Sequence, residues 1–456
     1  MIPMPSAPDD LASDDFPLER LARRLRSAAQ AMAFARPLGH VRAVTASGIA
    51  IAGLSRWLKL GAFVEIVTLK GPKLAEVIRL EQDIALCKPY ETSAAIGLGY
   101  TAYPRGELLY YPDDSWKGRI VDALARPIDG KDPLRTGREA VRPLAAPPAA
   151  MSRRIVSTGI TTGVTVIDAF TPICFGQRLG VFAGSGVGKS TLLSMLSQAR
   201  AFDSVVVSLV GERGREVREF VDLTLGTSAE NAITVVATGD ESAMMRRLAP
   251  LLATALAEHL RDLGQNVLLI MDSVTRYAHA CREVALSAGE PPVARGYPPS
   301  VFSHLPQLLE RAGPGLEGRG TITGIYAVLV DGDDHNDPVA DAVRGTLDGH
   351  IVLDRAIAEH GRYPAVNVLS SLSRLSHRVW APDQAKAIGE LKKLAARFEE
   401  TRDLRAMGGY VPGSDAELDR AMELVPKLYR ALTQSLSDPA TADAFKDIAA
   451  SLSRQA

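Results

Sequence analysis

Aromatic residues are scarce in this chain, at 5%, and there are only three cysteines. Cys87, Cys174 and Cys281 lie too far apart for a C-x-x-C pair, so spacing supports neither a zinc site nor a disulfide framework. They are expected as small buried hydrophobes. Neither sign of charge dominates: the net is −1 over 456 residues. That balance gives no footing for a nucleic acid or an acidic membrane as main partner. Long apolar runs are missing too, and none approaches the roughly 18–20 residues that span a bilayer. Asp9, Asp10, Asp14 and Asp15 stand where a basic and then apolar leader would lie, so no secretory signal is expected. The expectation is a soluble, cytoplasmic protein with room for two or three domains at about 100–200 residues each.

What is present changes along the chain. A Pro-, Asp- and Ser-rich start gives way to Leu18, Leu21, Leu25, Ala28 and Met32 at steps of three and four, the pattern of an amphipathic helix. From 37 to 108, short β-like runs such as Val41–Val44, Ile49–Ile51, Val64–Val67 and Ala75–Ile78 are punctuated by glycine and predict a small barrel. Segment 143–150, with Pro147-Pro148, reads as an exposed connector. Strand candidates at 178–183, 204–210, 234–238, 266–272 and 325–330 then alternate with helical stretches such as 242–263. That alternation predicts an α/β domain with a mainly parallel sheet covered on both faces. Beyond Pro382 the pattern is helical, at 385–401 and 415–436. The domains expected are 1–36 (tail and docking helix), 37–108 (barrel), 109–380 (α/β) and 381–456 (helical).

Ala183-Gly184-Ser185-Gly186-Val187-Gly188-Lys189-Ser190 follows an apolar strand and precedes Thr191-Leu192-Leu193. This is the P-loop pattern in its proper strand–helix context, with Ala183 in place of the usual first glycine. Glycines 184, 186 and 188 let backbone N–H groups turn onto phosphate oxygens, and the helix N-terminus adds its dipole. Lys189 is placed to reach the β- and γ-phosphates, and Ser190 to ligand Mg²⁺. Downstream, Val267–Met271 is an apolar run ending in Asp272, which suits the acid that orients a magnesium shell. Glu212 follows the strand at 204–210 and is expected at the same sheet edge, as a candidate to position water. The acidic run 331–337 fails as a calcium loop: Asn336 replaces the required glycine, and Ala342 the closing glutamate.

Several segments then occur in order: Gly-Glu-Arg-Gly-Arg-Glu (211–216), Asp-Ser-Val-Thr-Arg-Tyr-Ala (272–278), Pro-Pro-Val-Ala-Arg-Gly-Tyr-Pro-Pro-Ser (291–300) and Leu-Leu-Glu-Arg-Ala-Gly (308–313). Asp-Gly-Asp-Asp-His-Asn-Asp-Pro (331–338) and Arg-Tyr-Pro-Ala-Val-Asn-Val-Leu-Ser-Ser-Leu-Ser-Arg (362–374) follow them. From about 38 to 435 the chain resembles the flagellar export ATPases of the type III secretion ATPase family, which is itself similar to the catalytic subunit of rotary ATP synthases.

The resemblance implies an N-terminal β-barrel, a RecA-like P-loop core and a C-terminal helical domain. It implies that Gly184, Ser185, Gly186, Val187, Gly188, Lys189, Ser190 and Thr191 hold the phosphates of ATP, with Ser190 and Asp272 serving Mg²⁺. Glu212 would activate water, Arg213 would assist it, and Tyr363 would stack on adenine. Arg374 would be an arginine finger for a neighbouring subunit in a homohexameric ring. The partners implied are a stator-like regulator on the N-terminal helix, a coiled-coil stalk protein, export chaperone–cargo complexes and a membrane export gate, with no nucleic acid. The location implied is cytoplasmic, peripheral to the inner-membrane export apparatus. The residue texture leans flagellar, and an injectisome ATPase is the alternative.

Overall fold

The computed structural model describes residues 37–453, apart from 93–94 and 331–336. The docking helix expected within 1–36 and nearly all of the acidic 331–337 run therefore lie outside the described residues. The first six strands are β1 (Gly39–Val44), β2 (Ile49–Ala52), β3 (Phe63–Thr68), β4 (Gly71–Leu80), β5 (Ile84–Pro89) and β6 (Thr101–Arg105). They close into an antiparallel barrel in the order β1-β2-β5-β4-β3-β6. Closure leaves no edge to pair with a stray chain. Val41, Ile51, Val64, Ile66, Val77 and Cys87 fill the interior. Gly39 is required where β1 meets β2, because a Cβ there would stand 2.5 Å from the Ala52 carbonyl oxygen. The strands β5 and β6 carry too little alternation to be read in advance: Lys88 and Pro104 interrupt them.

A second sheet begins with β7 (Arg119–Asp122); β8 (Gly159–Ile160) and β9 (Ile173–Cys174) form a small separate pair. The remaining strands are β10 (Arg178–Ala183), β11 (Ser204–Val210), β12 (Ala232–Ala237), β13 (Asn266–Asp272), β14 (Gly313–Pro314), β15 (Thr321–Leu329), β16 (Gly349–Leu353) and β17 (Leu372–Ser373). Their order is β17-β16-β10-β15-β13-β11-β12-β7, with β14 paired to β15. The pairs from β7 to β16 along this path are parallel; β14 and β17 join antiparallel. Every residue of β11 and β12 is buried. That is why they read as nearly continuous apolar runs, interrupted only by Ser204, Ser208 and Thr234, rather than as alternating ones.

Separate apolar clusters cover the two faces, one built on the Ala243–Asp262 helix and one on the Lys189–Ser197 helix. The first helix starts where Ser242 accepts a hydrogen bond from the Met245 amide, an N-cap worth about 1 kcal/mol. Ser242 also donates to the Tyr90 carbonyl, which ties the barrel to this helix.

The C-terminal helices are Pro382–Glu400, Arg402–Ala406, Ala416–Ala431 and Ala444–Ser453. The third stops at Ala431 rather than near 436. Gln434 turns inward instead, accepting from the Thr165 amide and donating to the Gly163 carbonyl. No helix among the described residues is long and apolar enough to cross a membrane.

Candidate active site

Parallel strands end together, so β10, β11 and β13 bring three loops to one edge of the sheet. A crevice outside the carboxyl ends of such strands is where α/β proteins bind ligands. Here it is a cavity of about 750 Å³. Gly184, Ser185, Gly186, Gly188, Lys189, Ser190 and Thr191 line one wall. Gly186 and Gly188 have φ of 78° and 90°, the left-handed region open to glycine. Gly188 is also the residue just before the Lys189–Ser197 helix. Val187 differs from its neighbours: its side chain is buried in the apolar core beneath the loop, leaving only its backbone for the cavity. It anchors the cradle.

The charged groups form a tight set. Lys189 Nζ lies 2.5 Å from Asp272 Oδ1 and 3.8 Å from Glu212 Oε1. Asp272 is almost fully buried at the end of β13. Glu212 Oε1 is buried without a hydrogen-bond partner. Burial pushes the Glu212 carboxyl up to about 7; the Lys189 ammonium opposes the shift, and the Asp272 charge adds to it. Glu216 is held below the usual carboxylate range, chiefly by its hydrogen bond with Glu212. A proton therefore resides preferentially on Glu212 of this pair.

The cavity suits a triphosphate with a divalent cation. Asp272 already holds a positive charge in the form of the Lys189 ammonium, and Ser190 lines the same space. One carboxylate and one hydroxyl are hard oxygen donors, the kind Mg²⁺ accepts while keeping several waters.

Other expected site residues are placed less uniformly. Arg213 is mostly exposed, 3.9 Å from Glu216. Tyr363 is 38% exposed and outside the cavity lining, with its ring 3.3 Å from where a Cβ on Gly188 would stand. Arg374 is exposed and lies elsewhere. Its amide donates to Asp348 O, and Asp348 in turn bonds to Arg178 at the start of β10. The P-loop follows the other end of β10. A six-residue strand is about 20 Å long, so Arg374 sits at the opposite edge of the sheet from the cavity of its own chain.

Arg276 lines the cavity and was not singled out from the sequence. Its stem packs where any side chain on Gly211 would be, at 3.1 Å. Its signal was its place four residues after Asp272, in the first turn of a helix capped by Ser273. His350 bonds to the Ser370 carbonyl and meets the Phe182 ring, a structural setting. No cluster of metal-ligating side chains occurs among the described residues.

Residues 163–373 match the ATP synthase alpha/beta family, nucleotide-binding domain, and residues 380–450 match the T3SS EscN ATPase C-terminal domain. A flagellum-specific ATP synthase of Agrobacterium fabrum is 56% identical over 91% of this chain and 88% of its own. The chain belongs to the type III secretion ATPase family. Like that family, it is an ATP hydrolase with a nucleotide as substrate. The assembled ATPase EscN of the enteropathogenic E. coli type III secretion system superposes with a TM-score of 0.85 at 38% identity, over 91% of this chain and all of that one. EscN in complex with its central stalk EscO gives 0.82 at 37%, with the same coverage. The barrel, the mainly parallel P-loop sheet and the C-terminal helices are thus the fold of this family.

Proposed function

We propose that this chain hydrolyses ATP with Mg²⁺ to energise type III export of flagellar subunits, working as a ring in which each site is completed by its neighbour. The observation that carries the reading is the triad Lys189–Asp272–Glu212 in one cavity, with a carboxylate oxygen left unpaired. The P-loop amides, Lys189, Ser190 and Thr191 bind the phosphates. On binding, Lys189 exchanges Asp272 for phosphate oxygens. Ser190 and Asp272 would hold the magnesium ion, whose chemistry there is to neutralise charge on the phosphates. Glu212, deprotonated, accepts the proton of the attacking water; Arg213 supports it from the same loop. Tyr363 flanks the base.

Arg374, too far from its own cavity, reaches the γ-phosphate of the next subunit. An arginine finger is worth about 10³–10⁵ in rate in other phosphoryl-transfer enzymes. Support for a homo-oligomer, which we take to be a hexameric ring, comes from this separation and from the assembled state of EscN. Support for a coiled-coil stalk partner comes from the EscN–EscO complex. The flagellar assignment rests on 56% identity to a flagellum-specific relative against 38% to EscN. The remaining partners are a stator-like regulator, chaperone–cargo complexes and the export gate, which would hold the ring at the cytoplasmic face of the inner membrane.

The test is ATPase turnover against protein concentration for the wild type, Glu212→Gln and Arg374→Ala. Turnover per chain should rise as oligomers form, each variant alone should be nearly inactive, and mixing the two should restore part of the activity. Turnover independent of concentration, or no recovery on mixing, defeats the shared site.

A further inference from the structure

A second cavity of about 640 Å³ opens between the segment that follows β16 and the C-terminal helices, and no residue lines both cavities. Arg362, Arg402, Arg405 and Arg430 all face it. Among the described residues, the contacts of these four guanidiniums are neutral ones. Arg362 lies 3.8 Å over the Tyr429 ring, and Arg405 lies 3.7 Å over the Phe398 ring. Arg402 bonds to His360 at 2.7 Å, and Arg430 donates to the Pro426 carbonyl at 3.4 Å. Among the described residues, none of the four has a carboxylate within 4.0 Å. Arg405 Nε is buried with no partner at all.

The two carboxylates in the lining are engaged elsewhere. Asp354 accepts from the Ala356 amide and from Asn367, and Glu399 accepts from the Tyr429 hydroxyl. Four guanidiniums against two carboxylates, none of them directly paired, leave an excess of positive charge in the cavity, and an anion among them relieves the repulsion. Guanidinium forks match phosphate and carboxylate oxygens in pairs. Ile357, Val368 and Leu369 supply an apolar wall, and the volume falls within the roughly 300–1,000 Å³ of small-molecule sites.

We propose that this cavity binds a small organic polyanion, with at least two phosphate or carboxylate groups on an apolar scaffold, and that its occupancy tunes the nucleotide site. The route of coupling is short. His360, Gly361 and Arg362 line the cavity, and the next residue, Tyr363, leans on Gly188 of the P-loop. Thr433 lines it too, and the amide of the following Gln434 donates to the Tyr363 carbonyl at 2.8 Å. An anion drawing Arg362 inward therefore pulls on Tyr363. The binding half of the proposal is independent of the function proposed above; the tuning half rests on Tyr363 flanking the base.

Binding is tested on the full chain with its P-loop saturated by ADP and Mg²⁺, using hydroxypyrene trisulfonate as a fluorescent probe read by anisotropy. Saturable binding is expected, displaced by inorganic tripolyphosphate. Arg402→Glu and Arg430→Glu, both at exposed positions, should weaken it by roughly tenfold or more. Unchanged ADP affinity in the same variants reports an intact fold. Absence of saturable binding, indifference to the charge reversals, or equal binding of neutral pyrenemethanol would each overturn the site. For tuning, the probe should shift KM for ATP in the wild type and not in the reversed variants. An unmoved KM in the wild type overturns the tuning. Loss of ATP hydrolysis in the wild type would instead strike the function proposed above, leaving the anisotropy result intact.

Discussion

Two glutamates of this chain, Glu76 buried and Glu212 half-buried, stand beside cations and differ in how they are satisfied. Glu76, on β4 of the barrel, accepts from the Tyr90 hydroxyl at 2.6 Å and from Arg247 of the Ala243–Asp262 helix at 2.5 Å. Glu212 has a lysine nearby, but that lysine rests on Asp272, and one of its oxygens bonds to nothing. The first arrangement is closed: each charge answers another, and the barrel is pinned to the α/β core. The second is open, with its carboxyl pushed up to about 7 by burial. An unpaired buried polar group costs free energy, and such groups persist at sites of function. One glutamate holds the fold together; the other waits for a ligand.

The difference breaks first at Glu212. Glu212→Gln keeps the shape and removes the proposed base, so turnover should fall by about 10²–10⁴. Thermal unfolding should be unchanged or shifted upward, since a neutral amide replaces a poorly satisfied acid. A fall in melting temperature with activity retained would reverse the two roles. The mirror experiment is Arg247→Ala. It leaves Glu76 buried without its cation, which should cost roughly 3 kcal/mol of stability, because breaking a buried pair on one side is strongly destabilising. Turnover per folded chain at low temperature should stay close to wild type. Replacing both partners, as Glu76→Leu with Arg247→Met, should recover most of the loss, and denaturant melts of the three chains measure this directly.

The two glutamates were unequally legible in the sequence. Glu212 is legible because it follows a mostly apolar strand, Val205–Val210, which fixes the edge at which the chain must emerge. The strands at 178–183, 204–210 and 266–272 match β10, β11 and β13 residue for residue for the same reason: a strand buried on both faces has sharp polar ends. Glu76 gave no such sign. It sits within β4, and its partner Arg247 is 171 residues away, a pairing that only the packed barrel creates. Arg276 was hidden in the same way, since its place in the cavity depends on packing against the distant Gly211. Local chemistry tied to strand ends is readable in one dimension; contacts between segments far apart in the chain are not.

A pH series sharpens the comparison with a smaller effect. Because Glu212 must be deprotonated to take a proton, kcat/KM should rise with pH through about 7, the value burial gives it, and fall up to about tenfold per unit below that. Stability moves the other way. A carboxyl raised in the folded state binds more protons there than in the unfolded chain, so its contribution is full below the unfolded value near 4.5 and is lost as pH climbs through about 7. Glu212→Gln should flatten both slopes in that window. If the activity profile of the wild type stays flat from pH 5.5 to 8, Glu212 is not the base.

The smallest expected effect falls on the closed side. Tyr90→Phe removes one hydrogen bond from Glu76 and leaves Arg247 in place. A carboxylate that keeps its cation loses only part of its satisfaction, so the cost should be about 1 kcal/mol, well below that of Arg247→Ala. The order of these two variants is the informative quantity. If Tyr90→Phe were the more damaging, the hydroxyl and not the ion pair would be what fixes the barrel to the core, and the charge on Glu76 would be incidental to the joint.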